Sequence, residues 1–203
     1  MKIMVLMALY KSMDASCVIS LLDFHQQLAK QGHELKFVFA NGFNAAKARK
    51  CLTMYAGNTE DDYDYVLWLD SDHIYKPEHL HALVKRMDEE NLPMLSASYT
   101  LHGSPETAHG ITDENGFRHF TQEELKAAPG VIDCQVVGFG FLLMKFDFLI
   151  TLWEKHGENL FVLDAGANMT EDVKFCRVVK DDGHRVCFDP KVKVGHIELA
   201  VRY

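Results

Sequence analysis

Asp70 and Asp72 flank Ser71 at the end of an apolar run, Tyr65 to Leu69, in the stretch YVLWLDSDHIYKPEHL. A buried strand that stops at two carboxylates must release them to solvent or neutralise them with a cation. Carboxylate and phosphate oxygens suit a hard divalent ion such as Mn²⁺ or Mg²⁺. A turn or helix-capping cluster is the other reading of the same residues. Glu171 and Asp172 open a later amphipathic segment behind Thr170. Acids in a first helical turn complement its dipole; a carboxylate there could instead take the proton from an attacking hydroxyl. His196 ends a short apolar stretch. It is either a satisfied polar residue or an imidazole ligand, which favours Mn²⁺ over Mg²⁺. His73 is its rival beside the carboxylates, at a position expected to face solvent. Arg49 with Lys47, and Tyr10 with Lys11, form solvated faces or, near the same edge, hold a diphosphate and stack a base. His102, His109 and His119 read as loop residues without metal-ligand spacing.

These residues need a scaffold, and the hydrophobic pattern predicts one. Residues 2–9 are a continuous apolar strand. Ser12 or Asp14 caps a helix to about Gln31, with Val18, Leu21, Leu22, His25 and Leu28 as its stripe. A second strand follows at 34–40, then a helix at 44–55 with Lys47, Arg49 and Lys50 on a basic face, then the strand into Asp70. Such alternation builds a parallel sheet whose ligands bind beyond the carboxyl ends of the strands. The loops Tyr10–Asp14, Asn41–Asn44 and Asp70–His73 then share one edge. Pro77 opens a helix buried on Leu80, Leu83, Val84 and Met87, and residues 94–99 form the next strand.

From Thr100 to Val131 the chain turns irregular, with a turn at Asp113–Gly116 and a capping box, Thr121 with Glu124. Long irregular inserts in compact domains usually serve a site. Residues 131–146 return to strand pattern. Gly138 and Gly140 there signal a bulge or a close backbone approach more than phosphate binding. Asp147 is expected to cap a helix ended by Gly157, and residues 158–169 form a second irregular stretch. The helix from Thr170 carries Val173, Cys176 and Val179 on one face. Two short strands, 184–188 and 192–195, are expected on either side of Asp189-Pro190.

The chain has 203 residues, of which 48% are hydrophobic and 25% charged, with a formal net charge of −8. That composition is globular, suits a single domain, and makes a nucleic-acid backbone an unlikely partner. The five cysteines are scattered and form no CxxC pair, so free thiols in a reducing, cytoplasmic setting are expected. No run reaches membrane-spanning length, and nothing in the sequence sets an oligomeric state.

Taken in order, these signals resemble the GT-A glycosyltransferases, the nucleotide-diphosphosugar transferases with an Asp-x-Asp motif. The resemblance covers about residues 2–196 and is densest in YVLWLDSDHIYKPEHL, VVGFGFLLMKFDF and TEDVKFCRVVKDDGHRVCFDPKVKVGH. It is strongest to compact, metal-dependent members of bacterial or viral origin, including those of large chlorella-type viruses, and implies a cytoplasmic protein, in the host cytoplasm if viral. It implies one GT-A domain over 1–203. Residues 1–99 would bind the nucleotide sugar, and 100–203 would carry the acceptor and catalytic half. Position by position, it implies that Asp72 and His196 bind Mn²⁺ or Mg²⁺, with Asp70 near the donor or reaching the metal through water, and Ser71 beside it. Asp172 would be the base, with Glu171 as substitute. Ala8, Leu9, Tyr10 and Lys11 would form the base pocket, and Arg49 would reach base or phosphates. Asn41 stands where many members place an Asp that reads uracil, so the nucleotide is less firmly set. The implied donor is a nucleotide-diphosphate sugar, most often a UDP-sugar, and the acceptor a glycan or other hydroxyl. A haloacid-dehalogenase-like phosphatase with Asp70 as nucleophile is the rival, but its motif usually lies near the amino terminus and is followed by Thr or Val. A related nucleotidyltransferase lacks support, since no Gly-rich, Lys-containing signature follows the first strand. A non-catalytic nucleotide-sugar binder is a third alternative.

Overall fold

The computed structural model describes residues 1–9, 12–101, 104, 106–114, 116–163 and 170–197. Along the first strand, β1 (Lys2–Leu9), side chains alternate between two buried clusters. Ile3, Val5 and Met7 enter one; Met4 and Leu6 enter the other. That period of two, apolar on both faces, makes β1 a strand covered by helices on both sides. Helices α1 (Ala15–Lys30) and α3 (Pro77–Glu89) cover one face, and α2 (Ala45–Gly57), α5 (Phe146–His156) and α6 (Glu171–Asp181) the other.

The remaining strands are β2 (Glu34–Asn41), β3 (Tyr65–Leu69), β4 (His73–Ile74), β5 (Met94–Ser98), β6 (Gly110–Asp113), β7 (Gly116–His119), β8 (Ile132–Asp133), β9 (Phe141–Lys145), β10 (Cys187–Lys193) and β11 (Gly195–His196). Seven strands form the main sheet in the order β2-β1-β3-β9-β5-β10-β8. β1 pairs in parallel with β2 and β3, and β5 with β10; β9 runs antiparallel between β3 and β5, and β8 antiparallel to β10. The predicted mostly parallel sheet is therefore present. Two small antiparallel ribbons, β4 with β11 and β6 with β7, stand beside it.

Several local expectations hold. Asp14 caps α1, Asn44 caps α2, and Pro77 occupies the first turn of α3. The Thr121–Glu124 capping box opens α4 (Gln122–Ala127), and Asp113 pairs with Gly116 at the hairpin turn.

Four others change. The buried row of α1 is Cys17, Leu21, Phe24 and Leu28, whereas Val18, Leu22 and His25 point to solvent. α1 carries two apolar rows, and the sheet takes the one with the larger aromatic. Asp147 lies inside the first turn of α5, whose cap is Lys145. Residues 134–140 lie outside named strands, between β8 and β9. Finally, Asp189-Pro190 does not split a strand. β10 runs through it, and the register against β5 shifts between Asp189 and Lys193. A bulge at that point removes the need for a ladder donor that proline lacks.

Candidate active site

The carboxyl ends of β1, β2 and β3 lie side by side, with Met7 opposite Leu69 and Leu9 opposite Asn41. Their loops are joined by backbone bonds: Asp14 N–H donates to the Ser71 carbonyl at 3.2 Å, and Gly42 N–H to the Leu9 carbonyl at 3.3 Å. A cleft of ≈ 1020 Å³ opens beyond this edge. Its size suits a nucleotide-sized ligand. Arg49, Asp70, Asp72, Glu171, Asp172 and His196 all line it, and so does His73. Ala8, Leu9, Asn41 and Ser71 lie on the same edge of the sheet, outside the cleft wall. Tyr10 and Lys11 fall outside the described residues.

The Asp72 side of the cleft is built by a ribbon that the sequence conceals. β4 and β11 pair antiparallel, with His73 directly opposite His196. Their rings stack at 4.4 Å between centroids and 5° between planes. His196 Nδ1 lies 2.8 Å from the Thr100 carbonyl. A carbonyl only accepts, so Nδ1 carries the proton and Nε2 presents a lone pair in the neutral ring. That Nε2 faces Asp72 Oδ2 at 3.2 Å. Two acceptors at this separation call for a proton or a cation between them. His73 Nδ1 lies 2.9 Å from the other carboxylate oxygen. Yet neither ring nitrogen of this fully buried His73 has a well-aligned hydrogen bond among the described residues.

Burial pushes the Asp72 carboxyl up, but protons on the facing imidazole nitrogens outweigh it and hold the group down at about 2; a cation in the same place would act in the same direction. One carboxylate and two imidazoles within 4.8 Å of one another fit a divalent ion of the Mn²⁺ type. Parallel rings send their in-plane lone pairs along parallel planes. The His196–Asp72 contact has hydrogen-bond alignment whereas the His73–Asp72 contact does not, so Asp72 with His196 is the better-aimed pair and His73 backs the His196 ring. The expectation that His73 faces solvent is overturned, because β4 folds it under β11.

The close packing depends on glycine. A Cβ on Gly140 would sit 2.7 Å from Tyr99 Cζ and 2.9 Å from His73 Cε1 and Nε2. Gly138 is equally tight against the Tyr99 hydroxyl, which accepts the Gly140 N–H at 2.8 Å. The close-approach reading of this Gly pair is therefore the correct one. Gly140→Ala is expected to displace both rings and lower stability by about 1–3 kcal/mol. Mn²⁺ affinity, followed by the EPR signal of the free ion, should weaken with it. Unchanged Mn²⁺ affinity would separate the His73 stack from the metal site.

Across the cleft, Arg49 is only 6% exposed. It is no member of a solvated basic face. Its guanidinium pairs with Glu171 and reaches Asp70 Oδ1 at 3.5 Å. It also lies 4.2 Å over the Phe139 ring. Burial raises the Glu171 carboxyl above its usual value, and the Arg49 charge opposes that rise. Asp172 is the freer acid. Half-buried at the first turn of α6, it accepts from the Thr170 hydroxyl and the Val173 N–H. His109 proves to be a core residue: its ring stacks at 4.2 Å on Phe188, and its Nε2 lies 2.8 Å from the Ala97 carbonyl. His119 lines the cleft, and His102 falls outside the described residues.

The mostly parallel sheet flanked by helices, with small antiparallel ribbons beside it, has the architecture of a GT-A fold. The glycosyl transferase family 2 profile matches residues 14–153, well over half the chain. The chain therefore belongs to glycosyl transferase family 2. Among solved structures, it is similar to the crystal structure of GalNAc-T7 with UDP, GalNAc and Mn²⁺, at 11% identity and a TM-score of 0.62. That likeness covers 97% of this chain and 43% of the other, so the chain spans less than half the length of that relative. No curated protein matches the sequence. Among the described residues, no helix is long and apolar enough to cross a membrane. The family match ends before Glu171, Asp172 and His196, so these three stand on geometry alone.

Proposed function

We propose that the chain is a metal-dependent glycosyltransferase, a single GT-A domain. It transfers a sugar from a nucleotide-diphosphate sugar, foremost a UDP-sugar, to a hydroxyl of a glycan. The observation that carries this reading is the meeting of Asp72 and His196 with Glu171 and Asp172 in one cleft. Asp72 and His196 would hold Mn²⁺ or Mg²⁺, with Asp70 beside the donor or reaching the ion through water, and the bound ion would supply positive charge to offset the negative charge that grows on the departing diphosphate. Asp172 takes the proton of the acceptor O–H. The acceptor oxygen then bonds to the anomeric carbon, and the bond from that carbon to the phosphate oxygen breaks. Its electron pair leaves with the diphosphate. Glu171 is less suited to be the base, because Arg49 already engages it. Arg49 in turn holds Asp70 toward the donor side. The same contact argues against Asp70 as a phosphatase nucleophile, since its carboxylate faces a fixed guanidinium.

Calorimetric titration of UDP and UDP-sugars with Mn²⁺ tests donor binding. Asp172→Asn should keep that binding and lose about 10²–10⁴-fold in transfer rate, the usual worth of a positioned base. Transfer by Asp172→Asn at the wild-type rate would sink the base assignment. No Mn²⁺-dependent nucleotide binding at all would sink the reading as a whole.

A further inference from the structure

The cleft wall holds two side chains that the proposed donor site does not use. Phe117, on β7, is 53% exposed and lines the cleft. Its ring is pinned rather than loose. A Cβ on Gly110 would fall 2.2 Å from Phe117 Cζ, so the ring packs tightly over the glycine of the neighbouring strand. His119 closes its edge at 5.4 Å and 83°. Covering a strand glycine with a cross-strand aromatic stabilises a hairpin. That accounts for the side of the ring packed on Gly110, and the exposed remainder of the side chain lines the cleft.

Arg177 is the second. It follows Val173 by one helical turn on α6, and both line the cleft. Its backbone lies roughly 7–8 Å along the helix axis from Asp172, at 1.5 Å per residue. That is about one sugar ring beyond the proposed base. The other charges of the cleft are engaged within it. Arg49 is held by Glu171 and Asp70, and Asp72 by two imidazoles. Arg177 has Asp181 at 3.9 Å, both side chains being largely exposed. A pair of that kind contributes about 0–1 kcal/mol and releases its guanidinium readily.

Resting on the glycosyltransferase reading, we infer that the acceptor is an anionic saccharide: one sugar ring lies on the outer face of Phe117 while Arg177 pairs with a carboxylate or phosphate on the glycan. The apolar face of a pyranose suits the pinned aromatic ring. The planar guanidinium suits either acid bidentately. The arrangement also places a positive charge where an anionic acceptor would otherwise meet the Asp172 carboxylate unshielded.

The test titrates the chain, loaded with Mn²⁺ and UDP, with methyl glucoside, methyl glucuronide and glucose 6-phosphate. Binding is read by ligand-observed NMR. At least one anionic sugar should bind about 10-fold more tightly than the glucoside, the scale of one charge-assisted pair. The stronger of the two identifies carboxylate or phosphate. Arg177→Gln should bring the ratio near one, Arg177→Lys should restore part of it, and Phe117→Ala should weaken all three sugars alike. Equal binding of glucoside and both acids, or a preference that survives Arg177→Gln, overturns the inference. So does competition by inorganic phosphate as strong as that of glucose 6-phosphate. The UDP titration with Mn²⁺ reports the donor reading separately, and the sugar titrations repeated without UDP report the acceptor surface without it.

Discussion

Asp72→Ala is expected to abolish Mn²⁺-supported UDP binding and to cut sugar transfer by roughly 10³-fold. The figure follows from several kcal/mol of charge stabilisation at the leaving group. The variant should stay folded. The Asp72 carboxylate is partly exposed, and the bond that ties its segment to β11 is made by backbone: Ile197 N–H donates to the Asp72 carbonyl at 2.7 Å. Removing the carboxylate takes from the proposed ion site the oxygen ligand that faces His196 Nε2. Asp70→Asn makes the informative comparison. Asp70 is turned toward Arg49, so this variant should retain much of its Mn²⁺ binding while donor turnover falls. Calorimetry with UDP and Mn²⁺ checks both. Wild-type nucleotide affinity in Asp72→Ala would remove Asp72 from the metal site.

The second large effect is on stability. Arg49→Met leaves Glu171 and Asp70 facing each other beside Phe139 without their cation. Breaking a buried pair from one side costs about 3–5 kcal/mol. The loss depends on pH, and its sign is fixed. Burial already holds the Glu171 carboxyl above its usual value, and without Arg49 it rises further. A raised carboxyl favours the folded state while protonated. The variant should therefore be least impaired below the ordinary glutamate range and lose stability as pH rises through the raised value. Urea denaturation of both proteins at pH 5 and pH 8 reads this directly. A stability gap of the same size at both pH values would show that packing, not the Glu171 charge, sets the cost. Adding Glu171→Leu to Arg49→Met should recover much of the loss at pH 8.

The scaffold was legible wherever a local period carried it. β1 reads as buried on both faces because Ile3 to Met7 leave no polar gap. The caps Asp14 and Asn44, Pro77, and the Thr121–Glu124 box announce their helices through single residues. The misreadings share one cause: partners distant in sequence. α1 offers two apolar rows, and only the sheet decides that Cys17 and Phe24 turn inward. Arg49 looks like part of a basic face with Lys47 and Lys50. Its burial depends on Glu171, 122 residues away, a pairing no local pattern displays. His73 looked like a solvated neighbour because its two-residue strand pairs with a segment far down the chain. The one signal available was the reciprocal placement of single histidines in two short extended pieces, His73-Ile74 and Gly195-His196. At Pro190 a general rule misled, since proline usually ends a strand and here a bulge absorbs it.

The β4–β11 ribbon also sets an order of events. Asp72 and His196 are 124 residues apart, so their contact closes one of the longest loops in the described chain. Closing so long a loop is entropically costly, so this contact is expected to form after the local helices and the β1–β2–β3 pairings. The sheet can therefore assemble before the ion has a place to bind. Metal capture at the proposed site would then act as a latch on the finished fold. Bound Mn²⁺ would slow the parting of β11 from β4 and raise apparent stability with ion concentration, while contributing little to the earlier steps of folding.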